Sequence, residues 1–333
     1  MKKVLLISLL FIGSKTFAQQ YQTNISVHDP VIIKQDSMYY IFCTGRGVSV
    51  WSSKNMKEWK REKPVFDTLP WAVHAVKGFT NHIWAPDISY HNGLYYLYYS
   101  ISAFGKNTSC IGVATNKTLD AAAPDFKWID NGKVIQSYPG KTNWNAIDPN
   151  IIADKNGNAW MTFGSFWDGL KQIKLQKDRL HIDGDSINLP TIASRKKTSS
   201  SDNPPSVDDN PKDAGGNAIE APFIFYKNNY YYLFASIDYC CKGINSTYKM
   251  IIGRAKKING PFIDKDGNDM AKGGGSILLA GDNNWYGVGH NAVANFDGID
   301  YLIFHAYDAK DNGRSKLRIE KLNWESGWPV ILQ

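Results

Sequence analysis

Three carboxylates recur in one local setting. Asp29 lies in His28-Asp29-Pro30, Asp148 in Ile147-Asp148-Pro149, and Glu220 in Glu220-Ala221-Pro222, each followed by a short apolar run. A histidine, His290 in Gly289-His290-Asn291-Ala292, opens another segment of the same kind. A single acid beside a proline is an ordinary turn residue. Three acids at matched positions that meet in one channel repel one another, a cost a purely structural design would avoid, so the set marks a functional site. Grouped carboxylates walled by aromatics are the equipment of glycoside hydrolysis. One must be ionised to activate water. A second must stay protonated to serve the leaving oxygen, and a third negative charge nearby keeps it so. Sugar rings stack their apolar faces on flat side chains. Candidates for that wall are Trp84, Phe104, Trp144, Phe166 and Trp167, and closeness to Asp148 favours Trp144 and Trp167.

These residues are far apart in the chain, so the fold must gather them. Five segments repeat one pattern: a polar residue, usually a proline, a short apolar strand, a turn and an aromatic strand. The second reads Trp84-Ala85-Pro86-Asp87-Ile88, then Asn92-Gly93, then Leu94-Tyr95-Tyr96-Leu97-Tyr98-Tyr99. Asn-Gly, Asn-Asn and Asp-Gly pairs supply the positive φ of tight hairpins, and the flanking residues suit pleated strands. The spacing leaves room for a four-stranded sheet per repeat. Five such sheets set radially make an all-β, five-bladed β-propeller. Aligned on the proline, Asp29, Ala85, Asp148, Ala221 and His290 are equivalent, with Glu220 one step before Ala221. Residues 194–217, rich in Ser, Asp, Asn, Pro and Lys, interrupt the pattern just before Glu220. They read as a long inserted loop, either a flap over the site or a solvated excursion.

The chain has 333 residues, 43% hydrophobic and 21% charged, which excludes disorder. Residues 1–18 read as a secretory signal peptide, with Lys2 and Lys3, an apolar Val4 to Ile12, and Thr16-Phe17-Ala18 before the cut. Residues 19–333 then form one catalytic propeller, exported to periplasm or medium. Removing the leader lowers the net charge from +7 to +4. The remaining basic residues are scattered, which argues against nucleic acid. No later apolar run is long enough for a membrane span, and the chain is expected to be a monomer. The four cysteines make neither a disulfide framework nor a Cys-x-x-Cys zinc site. The adjacent Cys240 and Cys241 form either a vicinal disulfide or two buried thiols.

The segments His28-Asp29-Pro30, Trp144-Asn145-Ala146-Ile147-Asp148-Pro149-Asn150, Gly164-Ser165-Phe166-Trp167-Asp168-Gly169 and Glu220-Ala221-Pro222-Phe223 resemble glycoside hydrolase family 43, most nearly its endo-1,5-α-L-arabinanases. Asp238-Tyr239-Cys240-Cys241 and Gly289-His290-Asn291-Ala292 strengthen the resemblance, which runs through the mature chain in order. It implies an inverting hydrolase of linear arabinan, with Asp29 as general base, Glu220 as general acid and Asp148 tuning and orienting the acid. It also implies substrate contacts at Asn145, Ala146, Ile147, Ser165, Phe166 and Trp167, and at Phe104 and Gly105. One calcium ion is implied in the channel at His290, with His305 the second candidate and water completing the shell. The 194–217 insertion leaves endo and exo action open. An α-L-arabinofuranosidase, a β-xylosidase and a non-catalytic glycan-binding propeller are the competing readings.

Overall fold

The computed structural model describes residues 21–22, 24–195 and 217–331. The expected signal peptide, residues 1–18, and most of the 194–217 insertion lie outside the described residues. The rest is almost wholly β, in five sheets that are the blades of a propeller. From the axis outward, blade I runs Val31–Gln35, Met38–Cys43, Ser49–Ser53 and Lys60–Arg61. Blade II runs His82–His91, Leu94–Ile101, Cys110–Asn116 and Ile129–Gln136, with Gly45–Arg46 on its inner edge. Blade III begins with Asn150–Ala153, Ala159–Phe163 and Leu170–Leu175. Blade IV is Ile219–Lys227, Tyr230–Ile237, Lys249–Ala255 and Ser276–Leu279. Blade V is Trp285–Phe296, Ile299–Asp308 and Arg314–Glu325. Its outer edge is shared by Trp328–Ile331 and by the N-terminal Tyr21–Gln22, where Tyr21 stands opposite Ile319.

The second strand of each blade is buried on both faces, which is why the sequence shows unbroken apolar and aromatic runs. Side chains alternate between faces, and each face serves a different neighbour. Tyr95, Leu97 and Tyr99 pack toward blade I, while Tyr96 and Tyr98 pack toward blade III. Likewise Tyr231 and Leu233 face blade III, and Tyr232 and Phe234 face blade V. The core is therefore five separate clusters, one between each pair of adjacent blades. Each large side chain buried there contributes about 1.5–3 kcal/mol. Near the axis polar groups lace the blades together: Asp87 Oδ2 accepts the Ile151 N–H at 2.7 Å, and Asn150 Oδ1 accepts the Ile224 N–H at 2.8 Å. Among the described residues no helix is long and apolar enough to cross a membrane.

Candidate active site

The five residues that the repeat makes equivalent share one backbone geometry. Asp29, Ala85, Asp148, Ala221 and His290 all have positive φ, between 42° and 59°. In blades II, IV and V this residue falls within a register shift of the innermost strand. A bulge of this kind re-aims the flanking side chains. A non-glycine residue in left-handed conformation costs roughly 1–2 kcal/mol, and each is tied by its N–H to the neighbouring blade. The acceptor comes from the second strand of the preceding blade: His305 Nδ1 for Asp29 at 3.1 Å, Thr44 Oγ1 for Ala85 at 2.8 Å, Ser100 Oγ for Asp148 at 3.0 Å and Ser236 Oγ for His290 at 2.8 Å. At the remaining junction that position is Gly164, which has no side chain. A Cβ there would come within 2.7 Å of the Gly169 carbonyl oxygen. The Ala221 N–H is instead accepted by Asp148 Oδ2 at 3.1 Å. The missing side chain thus lets the blade III carboxylate reach the blade IV strand that carries Glu220.

Each carboxylate has its own partners. Asp29 Oδ1 meets His28 Nδ1 at 2.8 Å and His290 Nδ1 at 3.0 Å, and Oδ2 accepts the Thr44 hydroxyl at 2.5 Å. Burial opposes the charge on Asp29, but the imidazoles of His28 and His290 outweigh it and hold its carboxyl well below the ordinary range. Asp148 is equally buried without such compensation. Burial pushes it up to about 8, with the charges of Glu220 and Asp29 adding to the rise and His290 opposing it. Asp148 is therefore shifted toward its protonated form near neutral pH. Glu220 accepts the Tyr248 hydroxyl on Oε1 and the Ser165 hydroxyl on Oε2, both at 2.7 Å. Burial disfavours the charged form of His290, yet Asp29, Asp148 and Glu220 together lift it to about 9. His290 thus touches Asp29 at 3.0 Å and lies within electrostatic reach of Asp148 and Glu220.

The sequence profile of glycosyl hydrolases family 43 matches residues 23–329. The extracellular exo-α-(1→5)-L-arabinofuranosidase ArbA of Cellvibrio japonicus is 48% identical over 92% of this chain and 86% of its own length. The extracellular endo-α-(1→5)-L-arabinanase 1 of Bacillus subtilis is 44% identical over 92% and 88%. The chain belongs to glycosyl hydrolase family 43. Among solved structures, the α-L-arabinanase of Cellvibrio cellulosa complexed with arabinohexaose superposes on this family 43 chain with a TM-score of 0.87 at 47% identity, covering 93% of this chain and 96% of the other.

The family 43 site departs from the sequence reading in several places. Trp144, favoured as a sugar platform, is fully buried between blades II and III, edge-on to Phe163 at 5.2 Å. Ala146 is likewise enclosed in that cluster and offers no exposed surface. Ile147 and Asn145 are buried, and Asn145 Oδ1 has no hydrogen-bond partner among the described residues. Ser165, expected to touch substrate, spends its hydroxyl on Glu220. The accessible aromatics are Phe104, 83% exposed beside Gly105, the half-buried Trp84, and Phe166, whose ring lies 6.0 Å from that of Tyr239. Trp167 is nearly enclosed. Tyr248, Thr44, His28 and Tyr307 were not singled out from the sequence. Yet Tyr248 and Thr44 hold Glu220 and Asp29, and Tyr307 Oη lies 2.8 Å from His28 Nε2.

Among the described residues two trios bring donor atoms within 4.8 Å of one another: His28, Asp29 and His305, and His28, Cys240 and Cys241. His290, the expected calcium ligand, is in neither, and its Nδ1 faces Asp29. His305 is fully buried, and its Nδ1 is occupied by the Asp29 N–H. This set is rich in nitrogen and holds one carboxylate, whereas calcium takes six to eight oxygens. The protein atoms alone would not complete a calcium shell; His305 Nε2, buried and without a hydrogen-bond partner among the described residues, is the donor left open, and water would have to supply the oxygens. Cys240 and Cys241 are joined as a vicinal disulfide in an accessible turn rather than a strand, and the Cys241 N–H donates to Tyr307 Oη at 2.7 Å. The two ends of the inserted loop are pinned together: Asn217 Oδ1 accepts from Ser194 Oγ at 3.2 Å and from the Arg195 N–H at 2.7 Å.

Proposed function

We propose that this protein hydrolyses α-1,5-linked L-arabinan with inversion of the anomeric carbon. The observation that carries the reading is the opposite displacement of two acids around one axis. Asp29 is held ionised, and Asp148, beside Glu220, holds a proton. Environments that push neighbouring titratable groups apart mark Asp29 as the base and Asp148 as the proton store beside the acid, Glu220. In the proposed step Asp29 takes a proton from water, and the water oxygen forms the new bond to the anomeric carbon. The glycosidic bond breaks with its electron pair going to the leaving oxygen, which takes the proton delivered by Glu220. Asp148 holds the reserve proton and, through the Ala221 amide, fixes the strand on which Glu220 rides. Tyr248 and Ser165 steady the charge left on Glu220. Phe104, Trp84 and the Phe166–Tyr239 pair offer faces for furanose rings.

Arabinan as substrate is supported by the names of the relatives, and the extracellular naming of both bacterial enzymes supports export. Internal cleavage is the first reading. Release from a chain end is the second, favoured by 48% identity to the exo-acting relative against 44% to the endo-acting one. Incubation with linear arabinan, with product sizing and NMR of the first anomer formed, tests both. Inversion gives the β anomer first. A ladder of oligomers marks internal attack, and one short product from the outset marks end attack. No cleavage, or an α anomer first, refutes the proposal.

A further inference from the structure

Thr44 differs from the other residues at the axial junctions. Its hydroxyl accepts the Ala85 N–H at 2.8 Å, as Ser100 and Ser236 accept the amides of Asp148 and His290. That bond fixes one lone pair of Oγ1 and directs the only hydroxyl hydrogen elsewhere, onto Asp29 Oδ2 at 2.5 Å. The Thr44 N–H is itself bound to the His28 carbonyl at 2.9 Å, so the hydroxyl is carried on a fixed backbone. A carboxylate has about four acceptor positions. On Asp29, His28 and His290 take those of Oδ1, and Thr44 takes one of Oδ2. A single acceptor position remains, on Oδ2 beside Thr44.

We propose that Thr44 is a positioning residue for Asp29, which stops the carboxylate from rotating and leaves that one position on Oδ2 to receive the proton of the attacking water. The inference rests on the reading of Asp29 as general base. It also gives the hydroxyl a dual part, because one side chain joins the blade I–blade II junction to the base. A water aimed wrongly by about 1 Å costs on the order of 100-fold in rate without a comparable loss of binding.

The test compares Thr44→Val, Thr44→Ser and Asp29→Ala with the unmodified protein on linear arabinan, reading kcat and KM separately, with circular dichroism to establish folding. Thr44→Val keeps the shape and removes the hydroxyl. It should lower kcat about 100-fold with KM within about threefold, while Thr44→Ser, which restores the hydroxyl, should stay within about threefold in kcat. Thr44→Val with unchanged kcat beside an inactive Asp29→Ala overturns the role of Thr44 and leaves the base reading standing. Activity retained by Asp29→Ala overturns both. Should the valine variant not fold, Thr44→Ala replaces it. An alanine variant at least about tenfold below serine in kcat supports the inference, and equal values overturn it.

Discussion

Replacing Asp148 by Asn isolates the proton that the fold forces onto this site. The amide oxygen can still accept the Ala221 N–H, so the blade III to blade IV tie is kept, but the group no longer titrates. An unfolded aspartate titrates near 4, and in the folded protein burial raises Asp148 to about 8. Between these values the folded chain binds a proton that the unfolded chain has lost. Native stability therefore falls as pH rises through that window and levels off above it. One proton of difference corresponds to about 1.4 kcal/mol per pH unit. From pH 5 to pH 7 the Asn variant should thus gain on the order of 2–3 kcal/mol relative to the natural chain. Urea unfolding of both proteins at intervals from pH 5 to pH 9 measures this as a difference, in which groups common to both largely cancel. His290, raised to about 9, contributes the same way, with stability lost as pH rises from the ordinary imidazole range through its folded value. Activity should fall in the variant by up to about 100-fold, the size of an acid-catalysis contribution, because Asp148 serves the acid Glu220 and is not itself the acid. A stability difference that does not change between pH 5 and pH 7 would refute the claim that Asp148 is held protonated.

Further outcomes follow from the same geometry. Tyr248→Phe removes a buried hydroxyl from Glu220 Oε1; a hydrogen bond to a charged group is worth about 1.5–3 kcal/mol, so kcat should drop about 10- to 100-fold, and steady-state kinetics check it. Phe104→Ala removes an exposed ring and none of the hydrogen bonds that hold Asp29 and Glu220, so KM for oligomers should rise while kcat holds. Gly164→Ala forces a Cβ to within 2.7 Å of the Gly169 carbonyl at a φ of 125°. It should cost about 1–3 kcal/mol, read as a lower melting temperature.

Much of this architecture was legible because the repeat is anchored by backbone chemistry. The proline that follows the axial residue punctuates four of the five segments, and aligning on it picked out the five residues with positive φ. Side-chain direction was less legible. Trp144 and Ala146 lie close in sequence to Asp148, but a propeller buries both faces of its inner strands, so nearness along the chain does not distinguish a channel wall from a seam between blades. Ser165 was given to the substrate because sequence cannot show that Glu220 comes within 2.7 Å of it. The axial hydroxyls left a fainter signal. Thr44, Ser100 and Ser236 each stand at the end of an aromatic second strand, and Gly164 and His305 occupy the same place in the other two blades. That recurrence sits one strand away from the proline marker, and only the register between strands links the two.

The pairing of Tyr21–Gln22 with Arg314–Glu325 also bears on how the molecule is made. The first strand to leave a ribosome waits for a partner from the last stretch of polypeptide, and Ser26 likewise reaches Ser315, 289 positions along. Contacts of such sequence separation form late, after the entropy of closing a very long loop has been met. Blade V therefore stays incomplete, and the circle open, until Arg314–Glu325 is available to pair with Tyr21–Gln22.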